Sequence, residues 1–277
     1  MCNQTNNVYK LDVAGISSKS LAGVTAVFHL IGIVVLFKGK LKQTTILLHV
    51  AISETIFCLN HAIWPIKSSN IPRLSFNLFC VLANRLLMLV LLGDRFLEIF
   101  LNIKYPVFVT KERLIKVISI IWIASGLYGL ITGILDGINK LHYLLAYYIS
   151  NYIVLVNDIT FSVCAFITYG YFYLRIRAAK GKSKISKFNF RIPFLMVATY
   201  LIFNVPSTII FQVYTHRKEE NKIYLLTVAY FLFILGFLSD SLLYIFMQRK
   251  VQLMIRRKVM PMSTITNTNT SHQMINA

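Results

Sequence analysis

The chain has 277 residues, of which 56% are hydrophobic and only 14% are charged. A typical soluble domain carries about 25% charged residues, so this composition argues against a soluble fold and favours one that exposes apolar surface to lipid. The net charge of +19 does not indicate a nucleic-acid-binding protein, because the basic residues lie in short clusters between apolar runs, where anionic lipid headgroups are their natural partners.

Seven apolar segments predict transmembrane helices. A helix needs about 20 residues to cross the hydrocarbon core of a bilayer, and it satisfies its own backbone polar groups there. The segments, numbered as spans 1 to 7, are Leu21–Phe37, Thr44–Ile66, Phe76–Leu101, Leu114–Leu135, Leu144–Leu174, Ile192–Thr215 and Ile223–Met247. The first is the shortest, which leaves open a start before Leu21. The predicted fold is therefore all-α, a seven-transmembrane helix bundle over residues 21–247.

The basic residues between the spans predict the orientation of the bundle. One side holds 18 Lys and Arg residues, in the segments after spans 1, 3, 5 and 7, and the other side holds eight. The richer side belongs in the cytosol. Residues 1–20 are therefore expected to be an extracellular N-terminus at the plasma membrane, and Asn3 begins a glycosylation sequon there.

The part of the chain after span 7 has two compositions. Residues 248–259 place Val251, Met254, Ile255 and Val259 on one helical face among basic residues, which predicts a short amphipathic eighth helix in the inner headgroup layer. Residues 260–277 are rich in Ser, Thr and Asn and are expected to form a disordered cytoplasmic tail. The four cysteines fit neither a zinc site nor a disulfide framework, and no metal or other cofactor is expected.

Five short motifs occur in order along the spans. They are Gly93-Asp94-Arg95-Phe96 in span 3, Lys104-Tyr105-Pro106 after it, Trp122 in span 4, Tyr200-Leu201-Ile202-Phe203-Asn204-Val205-Pro206 in span 6, and Asp240-Ser241-Leu242-Leu243-Tyr244 in span 7. The combination resembles the rhodopsin-like (class A) G-protein-coupled receptors. That family has Asp-Arg-Tyr, a similar second cytoplasmic loop, a span 4 tryptophan, Phe…Trp-x-Pro and Asn/Asp-Pro-x-x-Tyr at these places.

The chain also departs from this family. The family's disulfide to the outer end of span 3 has no counterpart, since Asn70 replaces the first cysteine and the second outer loop has none. Span 5 contains no proline. The melanocortin, cannabinoid and lysophospholipid receptors share the missing span 3 cysteine and span 5 proline, so the resemblance points toward that branch.

The resemblance implies a cell-surface receptor that binds an extracellular ligand and activates a heterotrimeric G protein. Its switch residues are implied to be Asp94, Arg95, Phe96, Tyr169, Pro206, Asp240 and Tyr244. Arg95 would pair with Asp94 in the inactive state and meet the G protein on activation. Pro206 breaks the hydrogen-bond ladder of span 6 and permits a hinge. Tyr244 is expected to reach toward Tyr169.

The ligand is expected to bind between the outer halves of spans 3, 5, 6 and 7. The candidate pocket residues are Asn77, Val81, Asn204, Ser207, Thr208, Phe211 and Tyr230. The resemblance disfavours a biogenic amine, because Asn77 stands where aminergic receptors have an aspartate. It also disfavours retinal, because span 7 contains no lysine for a Schiff base.

The last feature of the sequence is a group of ionisable residues inside the predicted spans. Glu54 and Asp240 stand where the family binds a sodium ion, and Asn84 lies where the family often has a hydroxyl. Because two carboxylates repel one another in a low dielectric, we expect Arg85 to approach them and replace part of the ion's charge. Two alternatives are that Arg85 faces span 4 or 5, or that one carboxyl is protonated. Sodium is then expected to leave agonist affinity unchanged.

Other functional classes remain open at this point. A seven-span receptor or scaffold that signals without a G protein fits the same spans. A transporter is disfavoured, because the chain shows no repeated halves. An enzyme is not expected, since neither His-Glu-x-x-His nor Gly-x-Ser-x-Gly occurs.

Overall fold

In a computed structural model, the structure describes residues 2–37, 42–63, 71–101, 104–138, 140–178, 191–216 and 222–246. These residues are helical almost throughout, and they contain no β-strand. Seven of the helices are long and apolar enough to cross a membrane. The predicted fold class, an all-α seven-helix bundle, is thus confirmed, and the chain is a multi-pass membrane protein.

The observed helices cover all seven predicted spans, with ends that differ by a few residues in most cases. In chain order they are Cys2–Phe37, Lys42–Ile63, Ile71–Leu101, Lys111–Ile138, Lys140–Ala178, Arg191–His216 and Lys222–Phe246, the sixth in three consecutive pieces. The apolar part of span 1 starts at Ile16, before the predicted Leu21, and its helix continues back to Cys2 through the segment predicted to be extracellular. A short helix, Tyr105–Phe108, follows span 3.

Two predictions lie outside the described residues. They are the amphipathic helix over residues 248–259 and the tail over residues 260–277. The side chain of Asn3 is likewise outside the described part, although its backbone belongs to the first helix.

Consecutive spans run antiparallel, as polar contacts at their ends show. Ser18, at the start of the apolar part of span 1, lies 3.3 Å from His61 at the end of span 2. Asn60, also at the end of span 2, donates to Asn77 near the start of span 3 at 2.6 Å. The bundle therefore has one face where the odd-numbered spans begin, here called the N-terminal face, and an opposite face where they end.

The surface of the bundle is apolar, which is the reverse of a soluble protein. Large apolar side chains of spans 4 and 5 point outward, and Phe166 is 74% exposed. Arg85, Arg95 and Glu54, in contrast, are each about 1% exposed. Lipid solvates the apolar surface, whereas the buried charges need partners inside the bundle.

Span 3 lies at the centre of the bundle. It packs against spans 2, 4, 5 and 6, while span 1 packs against spans 2 and 7 on the other side. One apolar core cluster contains Leu91, Ile118 and Met196, and a second contains Phe57, Cys80 and Phe233.

Span 6 changes helix type immediately before its proline. Residues Tyr200–Asn204 form a π-helical turn between the α-helices Arg191–Thr199 and Val205–His216. Pro206 has no N–H group, so the carbonyl of Ile202 has no α-helical partner, and a wider turn accommodates that gap. The predicted break in the backbone ladder of span 6 at Pro206 is thus present.

Candidate functional site

An ion-pair cluster lies at the end of span 3 near the opposite face. The guanidinium of Arg95 lies 3.1 Å from the carboxylate of Asp94 and 2.5 Å from that of Glu98. The hydroxyl of Tyr105, in the short helix, donates to Asp94. Arg95 is 1% exposed and Asp94 is 5% exposed, so the pair is closed off from solvent. The predicted pairing of Asp94 with Arg95 is confirmed.

Tyr105 and Phe96 complete the surroundings of this pair. Burial, and then the hydrogen bond to Asp94, raise the pKa of Tyr105, so its hydroxyl remains a donor at physiological pH. The half-buried ring of Phe96 packs near Tyr171 of span 5, with 6.5 Å between ring centroids. Asp94 therefore has one charged partner, Arg95, and one neutral donor, Tyr105, which hold its side chain in place.

A second cluster joins spans 3, 5 and 6 deeper in the bundle, and we call it the Arg85 cluster. Arg85 pairs with Asp158 of span 5 at 2.5 Å and donates to Tyr200 and, at 2.7 Å, to Thr208, both of span 6. Tyr200 in turn donates to the same carboxylate at 2.5 Å. The Arg85 guanidinium carbon also lies 5.3 Å from the ring centroid of Phe233 in span 7.

The Arg85 cluster corrects the prediction that Arg85 approaches Glu54 and Asp240. Adjacent residues on a helix point about 100° apart. Asn84 faces span 2 and donates to Glu54 at 3.0 Å, so Arg85 faces spans 5 and 6 and finds its counter-ion there. The alternative that Arg85 faces span 5 is the one that the structure shows.

A third cluster, the carboxyl cluster, contains His29 of span 1, Glu54 of span 2, Asn84 of span 3 and Asp240 of span 7. The His29 ring nitrogen Nε2 lies 3.5 Å from Glu54 Oε2. Thr199 of span 6 donates to Asp240 at 2.6 Å. Glu54 and Asp240 are close enough for their charges to interact. The predicted proximity of Glu54, Asn84 and Asp240 is present, but His29 takes the place that was expected for Arg85.

Tyr244 does not bond to Tyr169, which corrects that expectation. The hydroxyl of Tyr244 lies beside Glu54, and its ring is 6.1 Å from that of His29. Tyr169 instead packs edge-on against Phe194, with 5.2 Å between centroids. Neither hydroxyl makes a well-aligned hydrogen bond, although that of Tyr244 is within interaction range of Glu54. The two tyrosines belong to different packing environments in this conformation.

A cleft lies between spans 2, 3, 5, 6 and 7, in the half of the bundle toward the N-terminal face. Its cavity volume is about 50 Å³, counted as the space open to the centre of a water-sized sphere. Its walls are mainly aromatic and aliphatic, with three polar side chains. The lining residues are Phe57, Asn77, Leu78, Val81, Val154, Thr208, Phe211, Gln212, Ala229, Tyr230 and Phe233.

Most of the predicted pocket residues line this cleft. They are Asn77, Val81, Thr208, Phe211 and Tyr230. The other two, Asn204 and Ser207, do not line it, because they lie on the face of span 6 that packs against span 7. Ser207 donates to the carbonyl of Ala229 at 2.7 Å, and the amide of Asn204 packs against Gly236.

The cleft and the Arg85 cluster share side chains. Thr208 lines the cleft and accepts a hydrogen bond from Arg85, and Phe233 lines it and packs on the guanidinium. Tyr200, another partner of Arg85, is the first residue of the π-helical turn. One connected set of contacts therefore extends from the cleft to the irregular turn of span 6.

Sequence reasoning missed His29, Asp158 and Phe233. A signal was available for the first two, because an ionisable side chain inside an apolar span is costly to bury and therefore indicates a partner. Phe233 lies four residues after Ala229 and three after Tyr230, so helical spacing places it on the same wall.

Neither a scan against protein-family models nor a search of curated proteins finds a match to the chain. The fold and the buried sites define a class, a seven-span membrane protein with three polar clusters inside the bundle and a cleft toward one face.

Proposed function

We propose that the protein is a receptor of the rhodopsin-like type, which binds a ligand in the cleft and activates a heterotrimeric G protein at the opposite face. In this proposal the N-terminus is extracellular and the protein resides in the plasma membrane. The observation that carries the proposal is the buried Asp94–Arg95 pair, together with its donor Tyr105, at the end of the bundle remote from the cleft.

The Asp94–Arg95 pair supports this function because its location allows the ion pair to separate when a partner protein binds. Both side chains sit at the end of one helix, where Arg95 can exchange its carboxylate partners for a protein docked from the cytosol. Ion pairs offset the cost of burying Arg95, and the arginine becomes exposed when the neighbouring helices separate. The charge that is exposed then is a binding determinant for an acidic or carbonyl-rich partner surface.

A series of contacts that leads from the cleft toward the end of the bundle containing Arg95 also supports the proposal. A ligand that displaces Thr208 or Phe233 perturbs the Arg85 cluster, and through Tyr200 it perturbs the π-helical turn. Irregular turns concentrate at functional sites and absorb helix movement. The contacts therefore connect ligand binding to movement of the half of span 6 near Arg95.

Basal nucleotide exchange tests the proposal without a known ligand. Membranes containing the full chain are mixed with purified heterotrimers from each Gα class, and uptake of a non-hydrolysable GTP analogue is measured. Asp94→Asn is expected to raise basal exchange severalfold, because it weakens the closed state. A loss of about 1.4 kcal/mol there would raise the open fraction about tenfold. Arg95→Ala is expected to reduce exchange to background.

Glu112→Gln is the matched control, since Glu112 is an exposed carboxylate at the same end of the bundle. It should behave as the wild type at equal surface expression. Exchange that is the same in all three variants, with every Gα class, would refute G-protein coupling. That result would favour a seven-span receptor or scaffold that signals without a G protein.

A further inference from the structure

The carboxyl cluster contains polar atoms that are buried without partners. His29 is 0% exposed and Glu54 is 1% exposed. Both ring nitrogens of His29, the Oε2 atom of Glu54 and the hydroxyl of Tyr244 make no well-aligned hydrogen bond, although His29 lies near the backbone of Phe237 and Tyr244 lies near Glu54. Buried polar atoms are nearly always satisfied in folded proteins. Four polar atoms around one carboxyl that lack a well-formed hydrogen bond indicate that added protons or another bound species complete the cluster.

The charges of this cluster do not balance. Glu54 and Asp240 bring two carboxyl groups from spans 2 and 7, each 1% exposed. Among the described residues, no lysine or arginine pairs with either of them, and Arg85, which was predicted to do so, is paired with Asp158. Two uncompensated negative charges in a membrane interior are prohibitively costly. The cluster thus requires two positive charges.

The surrounding groups favour protons over a metal ion. Asn84 donates to Glu54 Oε1 at 3.0 Å, and Thr199 donates to Asp240 Oδ1 at 2.6 Å, so these oxygens already face donors. Glu54 Oε2 faces the imidazole of His29 at 3.5 Å. Ca²⁺ takes six to eight oxygen ligands and Mg²⁺ takes six, and the described residues contain no group of three His, Cys, Asp or Glu that could hold such an ion.

We propose that His29, Glu54 and Asp240 form a proton-binding site inside the membrane, which holds two protons in the closed bundle and takes no metal ion. One proton is shared between Glu54 Oε2 and His29 Nε2. The second resides on the carboxyl of Asp240. The cluster is then neutral whichever of Glu54 and His29 carries the shared proton, since its transfer gives either two neutral groups or an ion pair.

The titratable groups that face the site are few. Span 2 contributes Cys58, which interacts with Glu54, and span 3 contributes Cys80 beside Cys58. Span 7 contributes Tyr244. The polar residues that hydrogen-bond within the site, Ser53, Asn84 and Thr199, do not titrate. The pH dependence of the site is therefore expected to come from its own three members.

The proposal predicts a direction for the pH dependence of stability. Carboxyl groups of an unfolded chain in water ionise near pH 4, at about their reference values. The folded bundle then binds more protons than the unfolded chain, so its stability is expected to fall as the pH rises between about 5.5 and 8.5. In that range the neutral isosteres Glu54→Gln and Asp240→Asn need no proton, so a double variant is expected to lose much of this dependence.

The test uses the purified full chain in lipid nanodiscs. Thermal midpoints are measured across this pH range in sodium chloride and in choline chloride of equal ionic strength. The wild type is expected to lose stability as pH rises, with the same midpoint in both salts. A sodium-specific increase that disappears in the double variant would show a metal site and overturn the proposal. So would a pH dependence that is equal in the wild type and the double variant.

Infrared spectroscopy of the same samples tests the proposal without relying on variants that fold poorly. A protonated carboxyl band, shifted by deuterium exchange, is expected in the wild type at neutral pH. His29→Asn removes the strong acceptor of Glu54, so the band is expected to move toward the frequency of a free carboxylic acid. His49→Asn is the control, because His49 accepts from Trp122 at 3.2 Å outside the cluster. The proposal fails if the wild type has no such band, or if both histidine variants shift it equally.

Discussion

At the scale of single residues, Arg85 shows what a buried charge requires in the bundle's interior. Its guanidinium is bonded to Asp158, Tyr200 and Thr208, and it is 1% exposed. A buried pair gains little over apolar packing, because desolvation of both ions offsets their attraction. Removal of one partner is different, since it leaves the other charge buried without compensation.

Asp158→Asn is therefore expected to destabilise the protein by about 3–5 kcal/mol, because Arg85 loses its counter-ion while it remains in the membrane interior. Thermal midpoints and surface expression measure the loss. The double variant Arg85→Met with Asp158→Leu removes both charges, and it should be more stable than the single variant. A double variant that is as unstable as Asp158→Asn would show that packing, and not charge pairing, dominates this position.

The direction in which a side chain leaves its helix explains why the partner of Arg95 was predicted correctly from the sequence and the partner of Arg85 was not. Arg95 pairs with its neighbour Asp94 and with Glu98 on the same helix, so its partners are local. Arg85 pairs with a residue 73 positions away. Motif spacing predicts the first kind of contact, whereas the second depends on which face of span 3 meets span 5.

At the scale of helices, the contact between spans 3 and 4 is set by small residues. A Cβ atom at Gly129 would lie 2.9 Å from Phe79 Cβ and 3.1 Å from the backbone oxygen of Ser75. Such distances require the two helices to separate. Small residues allow close approach of helices in membranes, where van der Waals packing drives association.

Gly129→Ala is expected to destabilise the bundle by about 1–3 kcal/mol, the range for overpacking in a well-packed interior. Gly126→Ala, one turn earlier on span 4, is the matched control, because its Cβ would meet only Phe79 at 3.9 Å. That substitution should be neutral or stabilising, as alanine is the better helix former. Thermal midpoints of the two variants compare them directly, and equal midpoints would contradict the close packing.

Span 6 was predicted as a helix from the sequence, but its change of helix type was not predicted. The proline at position 206 predicts a break in the backbone ladder. The π-helical turn at Tyr200–Asn204 sets the directions of the side chains around that break. Tyr200 contacts Arg85, and Asn204 contacts span 7. The aromatic at position 200 was assigned from the family motif, but its bond to Arg85 was not foreseen.

At the scale of the whole molecule, the antiparallel arrangement of seven spans places the start of span 1 and the end of span 7 on opposite faces of the bundle. Epitope tags at residues 1 and 277 are therefore expected to be accessible from opposite sides, with the N-terminal tag outside because of the basic asymmetry of the loops. Antibody labelling of intact and permeabilised cells measures this. Labelling of both tags in intact cells would contradict an odd number of spans.

The sequence by itself determined that seven helices cross a membrane, because the length of an apolar run is a local property that bilayer thickness selects. The family resemblance also located the Asp94–Arg95 pair and five of the eleven residues that line the cleft. Only the tertiary structure decided that Asp158 neutralises Arg85 and that His29 meets Glu54. A helix can rotate about its own axis without any change in its sequence pattern, and a difference of about 100° moves a charged side chain to another neighbour.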